Sequence, residues 1–184
     1  VLVTGTAGVT EGAAHDIGSG PASFDPTSRA DALAALTRWA PQWLPRVGHL
    51  LVEGHRPVNV VDQRIVAAPS DLVAAARDAA RARGLTVEIA QPSLDSVDAL
   101  ADEYVVRAQS LARSTVLLRV AEPSVVLPKV RGRGGRAGRL ALSVWARGLP
   151  SGVELSCIAS DGVDGSSGAA GAVVTGALAG DDLA

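Results

Sequence analysis

Residues 85–120 read LTVEIAQPSLDSVDALADEYVVRAQSLARSTVLLRV, and this stretch decides the fold. Its two ends, Leu85–Ala90 and Thr115–Val120, are short apolar runs rich in β-branched residues, which predicts two strands. Between them, apolar residues recur every three or four positions from Leu94 to Leu111, which predicts a helix of about five turns. A strand, a helix and a second strand in this order predict parallel pairing, because the helix carries the chain back to the end of the sheet where it started.

The same alternation continues on both sides of this unit. Ser70 is expected to cap a helix that stops at Gly84. Further elements are predicted from the same signals, namely strands at 60–68, 124–130 and 153–159, and helices at 140–147 and from residue 169 onward. We therefore predict the α/β fold class, as a layered αβα domain with a mostly parallel or mixed sheet.

The segment before residue 60 lacks this alternation. It opens with a short apolar run at Val1–Val3, and Ser28 then precedes Asp31 at the spacing of a capping box, which predicts a helix that stops before Pro41. We predict that residues 1–59 are the C-terminal tail of a preceding domain and that residues 60–184 form the α/β domain. The sequence contains no methionine, so we expect it to be a fragment of a longer protein.

The composition excludes several classes of protein. Of 184 residues, 47% are apolar and 20% charged, which is typical of a globular domain rather than a disordered one. The net charge of −2 argues against a general nucleic-acid binder. The single cysteine, Cys157, excludes an internal disulfide and is expected to be a small core residue. No signal peptide or membrane span is evident, so we expect a cytoplasmic protein.

A loop of glycines and arginines is the first candidate site. Residues 131–139 read RGRGGRAGR, between a predicted strand and a predicted helix. Glycines let backbone N–H groups converge, the start of a helix offers free donors, and guanidinium groups bind phosphate or carboxylate oxygens. The loop therefore favours an anion site over a solvated basic turn. An RNA-binding RGG segment is the weaker alternative, since such segments are long, repeated and disordered.

A second loop carries paired carboxylates. Residues 160–165 read SDGVDG, so Asp161 and Asp164 lie three residues apart on a glycine turn. Such a pair could bind Mg²⁺ together with phosphate and water oxygens. The alternative is a turn in which both aspartates bond to their own backbone, and at this point it is equally well supported.

Taken together, four segments resemble the glycerate 2-kinase family, whose C-terminal part is called the MOFRL domain and whose members are often labelled hydroxypyruvate reductases. The segments are Gly18–Pro21 with Asp25–Thr27, Ile65–Ala68, Arg131–Arg136 and Ser160–Ala172. The resemblance implies that residues 60–184 are a MOFRL-like domain, truncated at its end.

The resemblance also implies an activity, which is ATP-dependent phosphorylation of D-glycerate at its 2-hydroxyl, with Mg²⁺, in a cleft between two α/β domains. It implies a small anionic, glycerate-like substrate, no nucleic-acid or membrane partner, and a homodimer as one possible assembly. The site residues it implies are Arg133 and Arg136 as catalytic residues, Asp161 and Asp164 as metal ligands, and Gly132, Gly134, Gly135 and Glu122 as nucleotide-binding residues.

This sequence departs from the family pattern at several polar positions. The family's Asn-Gln-Glu after the arginine loop is here Ala137-Gly138-Arg139, and only Glu122 survives from its Ser-Gly-Gly-Glu-Thr stretch. The upstream domain with the family's catalytic lysine is not in this sequence, so we expect the segment alone to be unable to phosphorylate glycerate. The alternative to a kinase in the full-length parent is a catalytically inactive pseudokinase that binds a small anionic ligand or a partner.

Overall fold

The computed structural model describes residues 15, 17, 23–54, 64–130 and 132–176. The chain divides into two compact units, and among the described residues those up to Val66 belong to the first and those from Ala67 onward to the second. The predicted domain boundary at residue 60 and the predicted strand at Val1–Val3 lie outside the described residues, so the domain assignment stays a prediction. Among the described residues, no helix is both long and apolar enough to cross a lipid bilayer.

The described part of the first unit consists of short helices. Helix α1 (Arg29–Trp39) is followed by α2 (Leu44–Val47) between two turns of 3₁₀ helix. The Ser28 hydroxyl accepts the Asp31 amide proton at 3.1 Å, and the Asp31 carboxylate accepts that of Ser28 at 2.9 Å. The Ser28 hydroxyl also donates to the Asp31 carboxylate at 2.7 Å, and this bond, together with the one from the Ser28 amide, holds the pKa of Asp31 below its ordinary value. The capping box predicted from the sequence is therefore confirmed.

The second unit contains helices and strands in alternation. Its elements are α3 (Pro69–Arg81), β1 (Thr86–Ile89), α4 (Val97–Ser110), β2 (Thr115–Leu118), α5 (Arg136–Gly148), β3 (Glu154–Ile158) and β4 (Gly171–Thr175). Strands β1 and β2 pair in parallel, with Val87 opposite Val116. Strands β3 and β4 form an antiparallel pair, with Cys157 opposite Ala172. The predicted α/β class with a parallel pair is confirmed.

Two strand predictions are wrong, because the structure shows no strand in the residues of these segments that it describes. Residues 64–68 have no regular structure, because Pro69 follows directly and favours the first turn of a helix. The predicted strand 124–130 is reduced to one bridge at Ser124. Pro128 cannot donate to a ladder, and Val126 is 96% exposed, so no described element covers this stretch.

Two helix predictions also need correction. Helix α3 begins at Pro69 rather than after a Ser70 cap, and the Asp71 carboxylate accepts the amide proton of Ala68 at 2.8 Å. The helix predicted from residue 169 is instead strand β4, whose Val173 and Val174 pair with β3. Their β-branched side chains fit a strand better than the surrounding alanines fit a helix in this context.

The core of the second unit lies where α5 packs against α4 and against the β3–β4 pair. Leu100, Ala101 and Ala141 are fully buried, and the two alanines allow close approach of the two helices. The remaining buried apolar residues are Val97, Leu140, Val144, Leu149, Cys157 and Val174. Outside this core, the Arg147 guanidinium contacts the carboxylates of Asp98 at 2.9 Å and Asp102 at 2.6 Å. The core therefore fixes α5, the helix that follows the arginine loop.

Cys157 is a core residue, as the sequence predicted. Burial, reinforced by the charge of Asp164, raises the pKa of its thiol to about 12. Because the reactive thiolate is scarce at neutral pH, we expect native protein to react with a disulfide reagent at pH 8 far more slowly than urea-unfolded protein does. A thiol that reacts equally fast in native and unfolded protein would contradict this expected difference in rate.

The raised pKa of Cys157 also affects stability. The thiol favours the folded state below pH 9, and this contribution is lost as the pH rises toward 12.

Candidate functional site

The carboxyl end of the parallel pair brings two loops together. Beyond Leu118, the chain after β2 stays hydrogen-bonded to the chain after β1, through Ser93 N–H to the Val120 carbonyl at 3.2 Å and Glu122 N–H to the Ser93 carbonyl at 3.0 Å. These bonds fix the backbone of Glu122 at the sheet edge where ligands bind in open α/β sheets.

Arg136, the first residue of α5, reaches this edge. Its Nη1 lies 3.1 Å from Oε1 of Glu122, and the two side chains are 52% and 35% exposed. An ion pair as open as this contributes at most about 1 kcal/mol, so the guanidinium can exchange its partner for an incoming anion at little cost. The structure therefore brings together two of the predicted site residues and leaves both accessible.

Asp164 caps α5 from a distant loop. Its Oδ1 accepts the amide proton of Ala137 at 2.9 Å and its Oδ2 accepts that of Gly138 at 2.8 Å. The N-cap position itself is Gly135, which has no side chain to serve as a cap. The Asp164 residue is only 4% exposed, so this carboxylate is buried against the start of the helix, where its charge is favourable.

The loop around Asp164 also bonds to the arginine loop directly. The Ser166 N–H donates to the Gly134 carbonyl at 2.9 Å, and the Gly134 N–H donates to the Ser166 hydroxyl at 3.1 Å. A Cβ at Gly135 would collide with Asp164, and one at Gly165 would collide with the Gly134 carbonyl. Glycine is therefore required at both positions for the two loops to approach this closely.

The other predicted site residues have fewer contacts. Gly132, Arg133 and Gly134 are exposed, and within the described ranges the Arg133 guanidinium makes no ion pair. Asp161 is exposed and accepts the amide proton of Val163 at 3.2 Å, as in a turn closed by an aspartate side chain. Arg131 lies outside the described residues.

The backbone donors at the start of α5 are not free. The start of α5 was expected to offer free backbone donors to a ligand, but Asp164 takes those of Ala137 and Gly138. An anion at this site would therefore depend on the arginine side chains rather than on these two amides. The glycine at the N-cap is the sequence signal that the cap comes from elsewhere, although it does not identify Asp164.

The magnesium assignment finds no geometric support. No group of three or more histidine, cysteine, aspartate or glutamate side chains among the described residues could hold a metal ion. Both oxygens of Asp164 already accept amide protons in a buried position, whereas Mg²⁺ prefers carboxylates that can share it with water and phosphate. Asp161 and Asp164 as metal ligands therefore stay a prediction, and Asp164 fits the role poorly.

Arg119 also lies at this edge, and no signal in the sequence predicts its role. Its Nε donates to the Gln91 carbonyl at 2.8 Å, and its Nη1 lies 2.7 Å from Oε2 of Glu103 on α4. The hydrogen bond to Glu103 is the main cause that raises the pKa of Arg119, and burial raises that of Tyr104, over whose ring the guanidinium lies. This arginine ties α4 to the loops after β1 and β2 and is already neutralised, so it is a structural cation.

Comparison with known proteins connects this geometry to a family. Residues 115–183 match the family model of the MOFRL family. A curated protein of Agrobacterium vitis, named as a candidate hydroxypyruvate reductase, is 33% identical over 175 residues, which cover 86% of this chain and 40% of that protein. The D-glycerate 2-kinase of Thermotoga maritima is 29% identical over 174 residues, which cover 89% of this chain and 41% of the kinase.

A solved structure supports the same relationship. The crystal structure of glycerate kinase from Thermotoga maritima aligns with a TM-score of 0.61 and 26% identity, over 92% of this chain and 43% of that one. The chain thus spans about two fifths of the length of the curated relatives that it matches. Residues 115–183 therefore match the MOFRL family model, and the chain is similar to a D-glycerate 2-kinase along about two fifths of that protein's length.

Proposed function

We propose that the intact protein carrying this chain transfers a phosphoryl group from ATP to the 2-hydroxyl of D-glycerate, and that Arg136 and Arg133 hold the anionic groups of the reactants. The observation that carries this proposal is the open pair of Arg136 and Glu122 at the carboxyl end of β2. The relatives named above give the substrate class, since one of them is a D-glycerate 2-kinase.

The arrangement suits phosphoryl transfer. Such reactions are accelerated mainly by positioning and by neutralising the negative charge that spreads over the phosphoryl oxygens. The backbone of Arg136 is fixed by α5, and its guanidinium is exposed and only weakly paired. It can therefore turn from Glu122 to a phosphate or carboxylate and form two parallel hydrogen bonds. Arg133, on the exposed glycine loop, would supply a second cation once a ligand orders it.

ATP would supply the phosphoryl group and Mg²⁺ would neutralise its charge. We propose Gly132, Gly134, Gly135 and Glu122 as the nucleotide-side residues of this chain. The exposed backbone at Gly132 can approach a phosphate closely. Gly134 is bonded to Ser166 and Gly135 is packed on Asp164, so these two glycines would act through the loop's shape. A cytoplasmic location is part of the same proposal.

The test is an ADP-release assay on the intact protein with ATP, Mg²⁺ and D-glycerate. We expect wild-type turnover, and a loss of about 10²–10³-fold in kcat/KM for Arg136→Ala, because one charge-stabilising donor is removed. Arg139→Ala is the matched control. Its side chain lines a hollow on α5 with Leu142 and Ser143 that includes neither Arg136 nor Glu122, so kcat/KM of the variant should stay within about twofold of wild type.

The other outcomes separate the alternatives. Binding of nucleotide or glycerate without turnover would replace the kinase by the pseudokinase. The replacement of the family's Asn-Gln-Glu favours that reading, because Ala137 and Gly138 contribute backbone amides here and those amides bind Asp164. Equal losses for Arg136→Ala and Arg139→Ala would contradict the assignment of Arg136 to the site.

A further inference from the structure

We propose that Asp164 is a positioning residue, whose buried carboxylate fixes the first turn of α5 and through it the Arg136 guanidinium. This inference rests on the proposed function of Arg136. It replaces the metal-ligand role that the resemblance implied for Asp164, and it assigns the second loop to the support of the site.

The first step concerns the carboxylate itself. Both of its oxygens accept backbone protons, from Ala137 at 2.9 Å and from Gly138 at 2.8 Å, and the residue is 4% exposed. A carboxylate that is buried and bonded in this way points at the helix start and not at solvent. Its effect on a bound ligand must therefore pass through α5.

The second step concerns what else ties the two loops. We use the term loop clasp for residues 134–138 and 164–166 with the hydrogen bonds that join them. Besides the two bonds to Asp164, the clasp contains the Ser166 N–H bond to the Gly134 carbonyl and the Gly134 N–H bond to the Ser166 hydroxyl. The Ser166 hydroxyl also donates to the Gly134 carbonyl at 3.3 Å, so five hydrogen bonds join residues that lie 26 to 32 positions apart.

The third step places Arg136 inside the clasp. The residue before it, Gly135, packs on Asp164, and the residue after it, Ala137, donates to Asp164. Both peptide neighbours of Arg136 are therefore fixed by one side chain. A shift of this turn by about 1 Å would move the guanidinium away from Glu122, and displacements of that size cost about 10²-fold in rate when they affect a positioning group.

The test is a double-mutant cycle in the ADP-release assay on the intact protein. Asp164→Asn should lower kcat/KM for D-glycerate by about 10²-fold in the wild-type background, but by less than about twofold in an Arg136→Ala background. Ser166→Ala, which leaves the buried carboxylate in place, should show a loss in the same direction of about fivefold. The Mg²⁺ concentration that gives the half-maximal rate should be the same in Asp164→Asn and Ser166→Ala as in the wild type.

The same experiment can overturn the proposal. Losses that multiply in the Asp164→Asn, Arg136→Ala double variant would show that the two residues act independently. A raised Mg²⁺ requirement in Asp164→Asn, relieved by excess metal, would return Asp164 to the metal-ligand role. Asp78→Asn is the control for loss of one carboxylate, because the Asp78 side chain is 65% exposed on α3 and pairs with its neighbour Arg77.

Hydrogen–deuterium exchange gives a readout that does not depend on turnover. Asp164→Asn should speed exchange at least tenfold in peptides that cover 136–140, and Asp78→Asn should leave them unchanged. If the wild type does not phosphorylate glycerate but this exchange pattern is found, only the kinase proposal fails. Unchanged exchange in Asp164→Asn would overturn the positioning role whatever the activity.

Discussion

Replacement of Asp164 by alanine is expected to lower the free energy of unfolding of the second unit by about 3 kcal/mol, since each buried donor left without a partner costs about 1–3 kcal/mol. The two donors are the N–H groups of Ala137 and Gly138, which lose their acceptor together. The favourable charge at the start of α5 is lost as well. Trp145 on α5 reports this unfolding in urea, in a background where Trp39 and Trp43 are replaced by phenylalanine.

Asp161→Ala is the matched control for this prediction. Asp161 lies in the same loop and is exposed, and its carboxylate accepts one amide proton from within its own turn. We expect its replacement to cost less than about 1 kcal/mol, as is usual for exposed positions. Similar losses for Asp161→Ala and Asp164→Ala would mean that the loop needs both aspartates for its own turn and that the cap on α5 contributes little.

The contrast between these two aspartates shows what could be predicted from the sequence. Strand β1, helix α4 and strand β2 follow from local signals, because apolar periodicity of 2 or 3.6 residues is visible within one short window. Helix α5 was predicted to begin at Leu140, whereas it begins at Arg136. The four additional residues depend on a cap that comes from residue 164, and no local window contains both ends of that contact.

The helix predicted from residue 169 is wrong for a related reason. The alanines around residue 170 favour a helix by intrinsic propensity, but Val173 and Val174 gain a partner strand in β3 and a buried position for Val174 against α5. Pairing with a distant segment thus outweighs local propensity. The glycine at 171 fits the same outcome, because a Cβ there would meet the Cys157 carbonyl on the neighbouring strand.

The candidate site also has one part that could be predicted from the sequence and one that could not. The meeting of Glu122 and Arg136 follows from the rule that loops at the carboxyl end of parallel strands come together, and from the resemblance that singled out both residues. The role of the second loop was not predictable in this way. Two aspartates three residues apart look equivalent in the sequence, and only the fold separates the exposed Asp161 from the buried Asp164.

The second large effect on stability is expected at Gly165, where the two loops pack against each other. Gly165→Ala should lower the free energy of unfolding by about 3 kcal/mol, from about 1 kcal/mol of left-handed backbone strain and about 2 kcal/mol of overpacking. Its φ is +58°, and an added Cβ would collide with the Gly134 carbonyl and lie 2.8 Å from Cα of Gly135. Because these atoms belong to the backbone, they cannot rotate away as a flexible side chain would.

Gly168→Ala isolates the steric part of this effect. Gly168 has a similar φ of +77°, but a Cβ there would meet nothing within 4 Å, so its replacement should cost only the backbone strain of about 1 kcal/mol. The difference between the two variants, measured from their urea midpoints with the Trp145 reporter, therefore measures the contact between the loops. Equal costs would show that the loops can separate without loss of stability. In that case Arg136 would depend on α5 alone for its position, because a contact that contributes nothing to stability cannot hold the helix start in place.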